Sequence, residues 1–427
     1  MEKILRIARK FIPKKVFLAL QPLYHYSLAL MAALLYRFPS AKLKIVGITG
    51  TKGKTSTAEL VSAVLEAAGH KTALAGTLRF KIGKKSEPNL FKMTMPGRLF
   101  IQKFLRRAVN EKCDWAVLEI TSEGARQFRH KFIDLDALIF TNLSPEHIES
   151  HGSYENYVSA KLSIAEALAK SPKPNRYIIA NADDKEGEKF LMTDVPHKFP
   201  FYLRDAGSHK LTDAGVELVF KGEHIVSPLR GLFNVYNIMA AATFAESQGI
   251  PPAIIKKGIE KVSEIKGRGE KIKAGQDFMV IVDYAHTPNS LRSLYEAYEG
   301  KRKVCVLGNT GGGRDKWKRP EMGSIADEFC DKVILTNEDP YDEDPRSIVE
   351  EMAVGFKKQK PEIVMDRREA IARALSLAKT GDVILITGKG TDPYICGPNG
   401  SKVPWSDASV TRKEIKNLLL NKRQVVS

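Results

Sequence analysis

The sequence predicts an α/β protein: a central domain built on a mostly parallel sheet, followed by a second α/β domain. Three observations predict it. A strand, a glycine-rich turn and an amphipathic helix follow one another in "KIVGITGTKGKTSTAELVSAVLEAAG". Short apolar runs then alternate with helical patterns, the signature of a doubly wound sheet. Near Ile265 the composition turns basic and glycine-bearing, in "KVSEIKGRGEKIKAGQDF", and a second series of such runs begins. A chain of 427 residues exceeds what one core serves, so two or three domains are expected.

The first element is a front segment, residues 1–43. Val16 to Tyr36 carries no formal charge and is flanked by Lys14, Lys15 and Arg37. Its length nearly suits a membrane span, but Gln21, Pro22, His25 and Ser27 interrupt it, and Pro22 should break or kink a helix. A small-residue cleavage site after a compact apolar core is lacking, which argues against a signal peptide. Two readings stand: one or two helices packed on the next domain, or a helix lying at an inner membrane surface with basic flanks.

The second element is the loop. Ile45, Val46 and Ile48 form a β-branched run suited to a buried strand. Leu60, Val61, Val64, Leu65 and Ala68 recur at helical spacing. Between them stand Gly50-Thr51-Lys52-Gly53-Lys54-Thr55, then Ser56, a tighter form of the usual phosphate-binding loop. The glycines let backbone approach an anion, and the helix start offers amides and a favourable dipole. Lys54 would reach the β and γ phosphates, and the Thr55 hydroxyl would ligate Mg²⁺. The loop says nucleotide binding; it does not say which reaction.

The remaining runs follow in order. "WAVLEIT", "DALIFTNL" and "YIIAN" read as buried strands of the first sheet; "FMVIVDYA", "KVCVLGN", "KVILTNEDP" and "DVILITGKG" read as strands of the second. Each ends in small or polar residues, where α/β sheets place ligand-binding loops. Two α/β domains facing a shared cleft is the expected architecture. Among polar residues, Glu119 ends a strand, His147 sits in "FTNLSPEHIESHG" and Lys161 lies in a helical pattern, "YVSAKLSIAEAL". Singly these are a solvated acid, a structural imidazole and a surface lysine.

Charge and cysteines bound the partners. A net charge of +17 favours an acidic partner: nucleotide, anionic substrate, nucleic acid or membrane surface. No basic stretch with interleaved aromatics resembles a nucleic-acid module, so nucleic acid is not expected. Cys113, Cys305, Cys330 and Cys396 are far apart in sequence and form no C-x-x-C pair. Neither disulfides nor a zinc site is expected, and a reducing cytoplasm fits better.

The ordered motifs "GITGTKGKTST", "TMP", "EITSEGARQFR", "TNLSPEHIESHG", "SAKLSI", "GLFNVYNIMAA", "GRGE", "VDYAHTPNSL", "GGGRDKWKRP" and "TGKGTD" resemble those of the Mur ligases, nearest the UDP-N-acetylmuramoyl-tripeptide synthetase branch. The similarity runs from about Lys44 to Asp407. It implies a central P-loop ATPase domain over 44–265 and a C-terminal Rossmann-like α/β ligase domain over 266–427. It also implies an ATP-dependent, ADP-forming ligase: a substrate carboxylate attacks the γ-phosphate, and an amino acid's amine then attacks the acyl phosphate. Two anions meet in the first step, so cations must screen them.

The resemblance implies roles residue by residue. Glu119, His147 and Lys161 would hold Mg²⁺, two ions being expected, with Lys54 at the phosphates. The matching family lysine is carbamylated by CO₂, which turns a cation into an anionic oxygen ligand; neighbouring cations would supply the neutral amine by disfavouring the ammonium. Asn237 would meet the adenine side, Arg268 the phosphates and Asp283 the ribose hydroxyls, with His286 lining the same pocket. Thr94, Ser122, Gln127 and Arg129 match positions that bind the acceptor, a muramoyl-peptide carboxylate. Arg314 and Lys318 match positive positions for the incoming amino acid, Arg314 as a bidentate carboxylate donor.

The sequence also departs from the family. Where diaminopimelate-using members carry D-N-P-R, Glu338-Asp339-Pro340-Tyr341 stands here, and G-K-G-H-E appears as Gly388-Lys389-Gly390-Thr391-Asp392. The acids suit a side-chain ammonium such as that of lysine, rather than diaminopimelate's second carboxylate. Glu123 replaces the family histidine after Ser122. The 43 residues ahead of the loop are too few for the family's UDP-binding domain, so either the uridine half is held differently or the acceptor is another one, lipid-linked for example. Two alternatives stand beside this reading: a ligase on a different acceptor, as in folylpolyglutamate or cyanophycin synthetases, and a non-catalytic nucleotide-binding module. A cytoplasmic monomer touching the inner membrane surface through residues 1–43 completes the expectation.

Overall fold

The structure, a computed structural model, describes residues 14–146 and 148–426. The chain forms two compact units. The first runs up to Leu143 and includes Glu155–Tyr202 and Ala240–Gly258; the second comprises Ser144–Tyr154, Leu203–Met239 and the chain from Ile259 onward.

In the first unit, helix α1 (Lys14–Leu35) precedes strand β1 (Lys44–Thr49) and helix α2 (Lys54–Ala67). Then come β2 (Thr72–Ala75), β3 (Arg79–Ile82), β4 (Lys85–Pro88), α3 (Arg98–Asn110), β5 (Trp115–Glu119), α4 (Ser122–Arg126) and β6 (Ala137–Phe140). Helix α5 (Tyr154–Ala169), which starts at the edge of the second unit, leads into β7 (Tyr177–Asn181), α6 (Gly187–Leu191) and β8 (His197–Phe201). The sheet order is β4-β3-β2-β5-β1-β6-β7-β8, parallel from β2 to β8 and antiparallel at the β3 and β4 edge. Strand β5 is buried throughout and pairs with β1 in register Ile48 to Glu119. That register sets Glu119 beside the strand end that feeds the loop.

Helix α1 runs through Pro22 without a break, against the expectation that Pro22 would end or kink it. Proline forfeits one backbone bond, and Pro22 itself is exposed. One face of the helix is anchored: Ala29, Ala32 and Ala33 are buried, and Arg106 of α3 donates to the carbonyls of Tyr36 and Arg37.

In the second unit, β9 (Lys210–Leu211), β10 (Val216–Phe220) and β11 (Glu223–Ser227) form a small antiparallel sheet. Helix α7 (Leu232–Ser247) crosses the division between the units and α8 (Pro252–Glu260) follows. A six-stranded sheet in the order β12-β13-β17-β14-β15-β16 is built from β12 (Glu270–Lys271), β13 (Met279–Val282), β14 (Lys303–Leu307), β15 (Lys332–Leu335), β16 (Glu362–Ile363) and β17 (Val383–Ile386). Only the β12 pairing is antiparallel. Helices α9 (Pro288–Glu296), α10 (Lys318–Phe329), α11 (Pro345–Ala353) and α12 (Arg367–Ser376) alternate with these strands. A β18–β19 hairpin (Tyr394–Cys396, Lys402–Pro404) and α13 (Asp407–Val426) close the chain. Apolar cores lie on both faces of this sheet, one around Leu291, Met322 and Leu335 and one around Val304, Ile371 and Ile415.

Against the expectation of no disulfide, Cys305 of β14 and Cys330 at the end of α10 are bonded, their sulfurs 2.13 Å apart. Twenty-five residues of sequence separation disappear because α10 returns the chain beside β14. Cys113 and Cys396 are free and buried. No described helix is long and apolar enough to cross a membrane.

Candidate active site

The loop between β1 and α2 is shaped by close backbone approach. A Cβ on Gly50, whose φ is +149°, would lie 2.0 Å from the Thr141 hydroxyl, so only glycine fits. Asn142 holds the loop from the neighbouring strand end: its carbonyl accepts from Thr51 N at 2.8 Å and its side chain from Lys52 N at 2.9 Å. Two of the loop's amides are therefore engaged within the chain. Lys54 curls back to donate to the carbonyls of Gly50 (2.8 Å) and Thr51 (2.9 Å). Gly53 caps α2, and Thr55 and Ser56 are buried in its first turn.

Glu119 and Lys161 meet this loop from β5 and α5. The Glu119 carboxylate accepts from the Thr55 hydroxyl (2.9 Å) and from Thr77 through both N (2.8 Å) and hydroxyl (2.9 Å). Burial pushes its carboxyl above the usual range, against the Thr77 amide bond and the Lys54 charge. Lys161, 1% exposed, donates to the Gly50 carbonyl at 2.8 Å and lies 5.0 Å from the Tyr157 ring centre. Tyr157 in turn shares a 2.9 Å hydrogen bond with the Thr51 hydroxyl. His147, expected as a third ligand, lies outside the described residues. Among the described residues no three His, Cys, Asp or Glu side chains gather to hold a metal. The Thr55 hydroxyl and Glu119 carboxylate form an all-oxygen donor set, which fits magnesium.

The expected acceptor residues also lie in the first unit. The Thr94 hydroxyl meets that of Thr77 at 2.9 Å, which links it to Glu119. Ser122 is buried at the start of α4, whose Thr121 side chain caps the Gly124 amide. Arg129 donates to Gln127 Oε1 at 2.7 Å and to the Met95 carbonyl; Gln127 donates to Glu123 at 2.5 Å. Glu123, the residue read as replacing the family histidine, thus positions Gln127.

The second unit gathers the expected nucleotide and amino-acid residues. A cavity of about 450 Å³ is lined by Arg230, Asn234, Arg268, Lys271, Lys273 and Arg412, among others. Asn237 lies one turn along α7, inside the helix, and donates to Asn234 at 3.0 Å. Arg268 stacks over Tyr284 at 4.4 Å. Asp283 accepts from the amides of Gly269 (2.6 Å) and Ala285 (2.7 Å). His286 is held between the Tyr284 carbonyl (2.6 Å) and Glu146 (3.1 Å), and Lys318 donates to the His286 carbonyl at 3.1 Å. Arg314 lies 5.9 Å from the Tyr341 ring centre.

Beyond β15 the two expected acids separate in role. Asp339 is matched: Lys389 Nζ donates to it at 2.8 Å and Cys396 N at 2.7 Å, while Lys389 also faces Asp392 at 3.6 Å. Glu338 is 2% exposed. Its Oε1 accepts from Thr310 at 2.7 Å, and its Oε2 is buried with no hydrogen-bond partner. Burial and then the Asp339 charge push its carboxyl above the usual range.

Residues 48–245 match the model of the Mur ligase middle domain, and residues 267–390 that of the Mur ligase glutamate ligase domain. The chain is 38% identical over 384 residues to the UDP-N-acetylmuramoyl-L-alanyl-D-glutamate–2,6-diaminopimelate ligase of Syntrophomonas wolfei, covering 86% of this chain and 77% of that one. The chain belongs to the Mur ligase family. Mur ligases are ATP-dependent, ADP-forming amino-acid ligases that use Mg²⁺, and this one is of the MurE type. The UDP-N-acetylmuramyl-tripeptide synthetase of a Roseiflexus strain is 35% identical, covering 92% of this chain and 82% of that one. Among solved structures, the folylpolyglutamate synthase of Mycobacterium tuberculosis has the same fold, with a TM-score of 0.70 at 16% identity over 93% of this chain and 95% of that one.

Sequence reasoning missed Thr77, Asn142 and Tyr157, which hold this Mur ligase's loop and carboxylate, and Glu146, which meets His286. Asn142 and Glu146 stand inside the quoted "TNLSPEHIESHG", so the motif contained them. Thr77 and Tyr157 carry no local signal; folding alone brings them in.

Proposed function

We propose that this Mur ligase adds an amino acid with a basic side chain, L-lysine for example, to the carboxylate of a muramoyl-peptide acceptor in peptidoglycan precursor synthesis. The observation that carries the proposal is the buried, unpartnered Oε2 of Glu338 beside an Asp339 already matched by Lys389. A buried carboxylate at an amino-acid site favours an ammonium and disfavours a second carboxylate. The relatives named for diaminopimelate make the test a real one. A panel of amino acids, read by ADP release and product mass, should rank lysine or ornithine first; preference for diaminopimelate would overturn the proposal.

In this reading Lys54 screens the γ-phosphate while the acceptor carboxylate attacks it and ADP leaves. The amino acid's amine then attacks the acyl phosphate carbonyl, expelling phosphate and losing a proton. Mg²⁺, two ions in this reading, supplies charge neutralisation when bound, with Thr55, Glu119, His147 and a CO₂-derived carbamate on Lys161 as its ligands. The burial of Lys161 beside the loop supports the last assignment. Lys161→Ala should lose activity and regain part of it with added short carboxylic acids; unchanged activity in the variant would remove the role. Thr94, Ser122, Gln127 and Arg129 hold the acceptor, Arg314 and Lys318 the amino acid's carboxylate, and Asn237, Arg268, Asp283 and His286 the nucleotide.

The reading includes a cytoplasmic monomer that touches an anionic bilayer through residues 1–43. Leu20, Leu23, Met31, Leu34 and Leu35 are exposed on α1, away from its buried alanines. From Lys3 to Ala58 the sequence has no Asp or Glu, so this apolar face is set among basic residues, as suits anionic lipid.

A further inference from the structure

The segment between β4 and α3 turns its apolar side chains outward. Leu90, Phe91 and Met93 are 54%, 48% and 44% exposed, three large apolar groups within four residues. Scattered apolar residues on a surface are ordinary, but a cluster marks a place of contact. The turn is built to hold them there. Asn89, itself buried, donates from Nδ2 to the carbonyls of Gly76 (2.8 Å) and Met93 (2.9 Å), and its Oδ1 accepts from Phe91 N at 3.0 Å. One buried amide thus ties the turn to the end of β2. The Phe91 ring is braced from within by Phe100 at 5.0 Å and Phe80 at 6.0 Å.

This turn leads straight into the expected acceptor residues. Thr94 follows Met93, and its hydroxyl meets that of Thr77, a partner of Glu119. Arg129 donates through Nη1 to the Met95 carbonyl and lies 3.7 Å from the Met93 sulfur. The front helix reaches the same place. Tyr26 of α1 packs edge-on against Phe132 at 5.1 Å and against Phe128, the neighbour of Arg129, at 6.4 Å. The exposed Leu23 and Tyr26 of α1 and the exposed 90–93 turn therefore meet at one short segment, residues 128–132.

The charge around this surface selects its partner. Three stretches of chain build it, residues 14–58, 88–110 and 124–133, and none contains an Asp or Glu. The second carries Lys92, Arg98, Lys103, Arg106 and Arg107, and the third Arg126, Arg129 and Lys131. The acids that bound the third stretch are engaged within the chain: Glu123 accepts from Gln127 and Asp134 from Ser40. Apolar side chains set among cations suit an anionic lipid surface. We infer that the 90–93 turn and the exposed face of α1 seat together on an anionic bilayer, so that the acceptor is membrane-borne: a muramoyl-peptide carboxylate carried on a hydrocarbon chain. The inference rests on the acceptor reading of Thr94 and Arg129 and on the bilayer reading of α1. It deepens both, by adding a second lipid contact beside the site and by naming the substrate class.

The test uses the full-length protein and vesicles of phosphatidylcholine, with and without phosphatidylglycerol. Leu90→Trp puts a fluorophore on the turn. With the wild-type signal subtracted, its emission should shift to the blue on vesicles containing phosphatidylglycerol and be quenched by bromine on the lipid chains. Leu90→Glu should weaken partitioning about tenfold, the scale of withdrawing one leucine from an apolar phase, with an unchanged urea midpoint. For the acceptor, N-acetylmuramoyl-L-alanyl-D-glutamate is compared with its hexadecyl glycoside in the same vesicles. The hexadecyl form should have a KM lower by about tenfold or more, because a shared surface raises its local concentration, and Leu90→Glu should narrow that gap. Emission that ignores the vesicles overturns the inference, as does a Leu90→Glu variant that partitions like wild type. Equal binding to phosphatidylcholine alone would defeat the anionic assignment. A concentration-dependent dimer that Leu90→Glu dissolves, without vesicle binding, would give the surface to a second copy of the chain and defeat the bilayer. Equal KM for the two acceptors would defeat the membrane-borne acceptor and leave the function proposed above intact. Vesicle binding through the turn without ligation of any muramoyl peptide would defeat that function and leave the bilayer surface standing.

Discussion

Replacing Glu338 by glutamine separates a specificity residue from a structural one. The substitution keeps shape, which this position demands: a Cβ on Gly388 would already lie 2.1 Å from Glu338 Oε2, and one on Gly308 would lie 3.0 Å from its Cβ. Glutamine can still accept from Thr310, so only the charge is lost. Because burial and Asp339 raise the Glu338 pKa in the folded state, its contribution to stability is present below the ordinary carboxylate range. That contribution is lost as pH rises through the folded value. At neutral pH the charge is therefore a cost to the free protein, and Glu338→Gln should be as stable as wild type or more so. With a basic amino acid bound, the sign reverses. Removing one partner of a buried ion pair costs about 3–5 kcal/mol, so kcat/KM for lysine should fall by about two to three and a half powers of ten. KM for ATP should not change. The assay is steady-state ADP release across an amino-acid panel, paired with urea denaturation of the free enzyme. A variant that keeps the wild-type ranking of amino acids, or that unfolds at clearly lower urea, would refute the reasoning.

Three further outcomes are expected. Glu119→Gln should cut Mg²⁺-dependent ADP release about a hundredfold or more, the scale for losing one group that stabilises transition-state charge. In the wild type Mg²⁺ affinity should weaken as pH falls through the raised Glu119 value, because the metal needs the carboxylate; titration of Mg²⁺ by calorimetry at several pH values checks both signs. Asp407→Asn should destabilise the protein by about 3–5 kcal/mol in urea unfolding, since Arg367 and Asp407 are fully buried and joined by bonds of 2.8 and 2.7 Å; a loss below about 1 kcal/mol, the range of an exposed pair, would contradict that. Leu23→Glu with Leu34→Glu should abolish co-sedimentation with anionic vesicles while sparing activity on soluble substrates, and equal binding by the variant would remove the bilayer reading.

The sequence was most legible where burial is continuous. The runs "WAVLEIT", "YIIAN" and "DVILITGKG" became central parallel strands because both faces of such strands are covered, leaving an unbroken apolar word. Edge elements lack that word. Strand β4 is Lys-Ser-Glu-Pro and wholly exposed, and β9 has two residues, so neither leaves a period to read. Tertiary pairings were the least legible. Cys305 and Cys330, Thr51 and Tyr157, and Arg367 and Asp407 meet only because parallel crossovers return the chain to neighbouring strand ends, and no local pattern records that return.

The site divides along the same line. Lys54, Thr55 and Glu119 were readable because a loop, a helix start and a strand end fix them locally. What holds them was not: Asn142 engages the loop amides and Thr77 the carboxylate from distant segments. The acid pair shows why geometry adds more than position. Glu338 and Asp339 are adjacent in sequence and look interchangeable as partners for an ammonium. In the segment beyond β15, Asp339 meets Lys389 while Glu338 keeps an oxygen with no partner. On the proposal of a basic amino acid, specificity would fall to Glu338, the acid the fold leaves uncompensated.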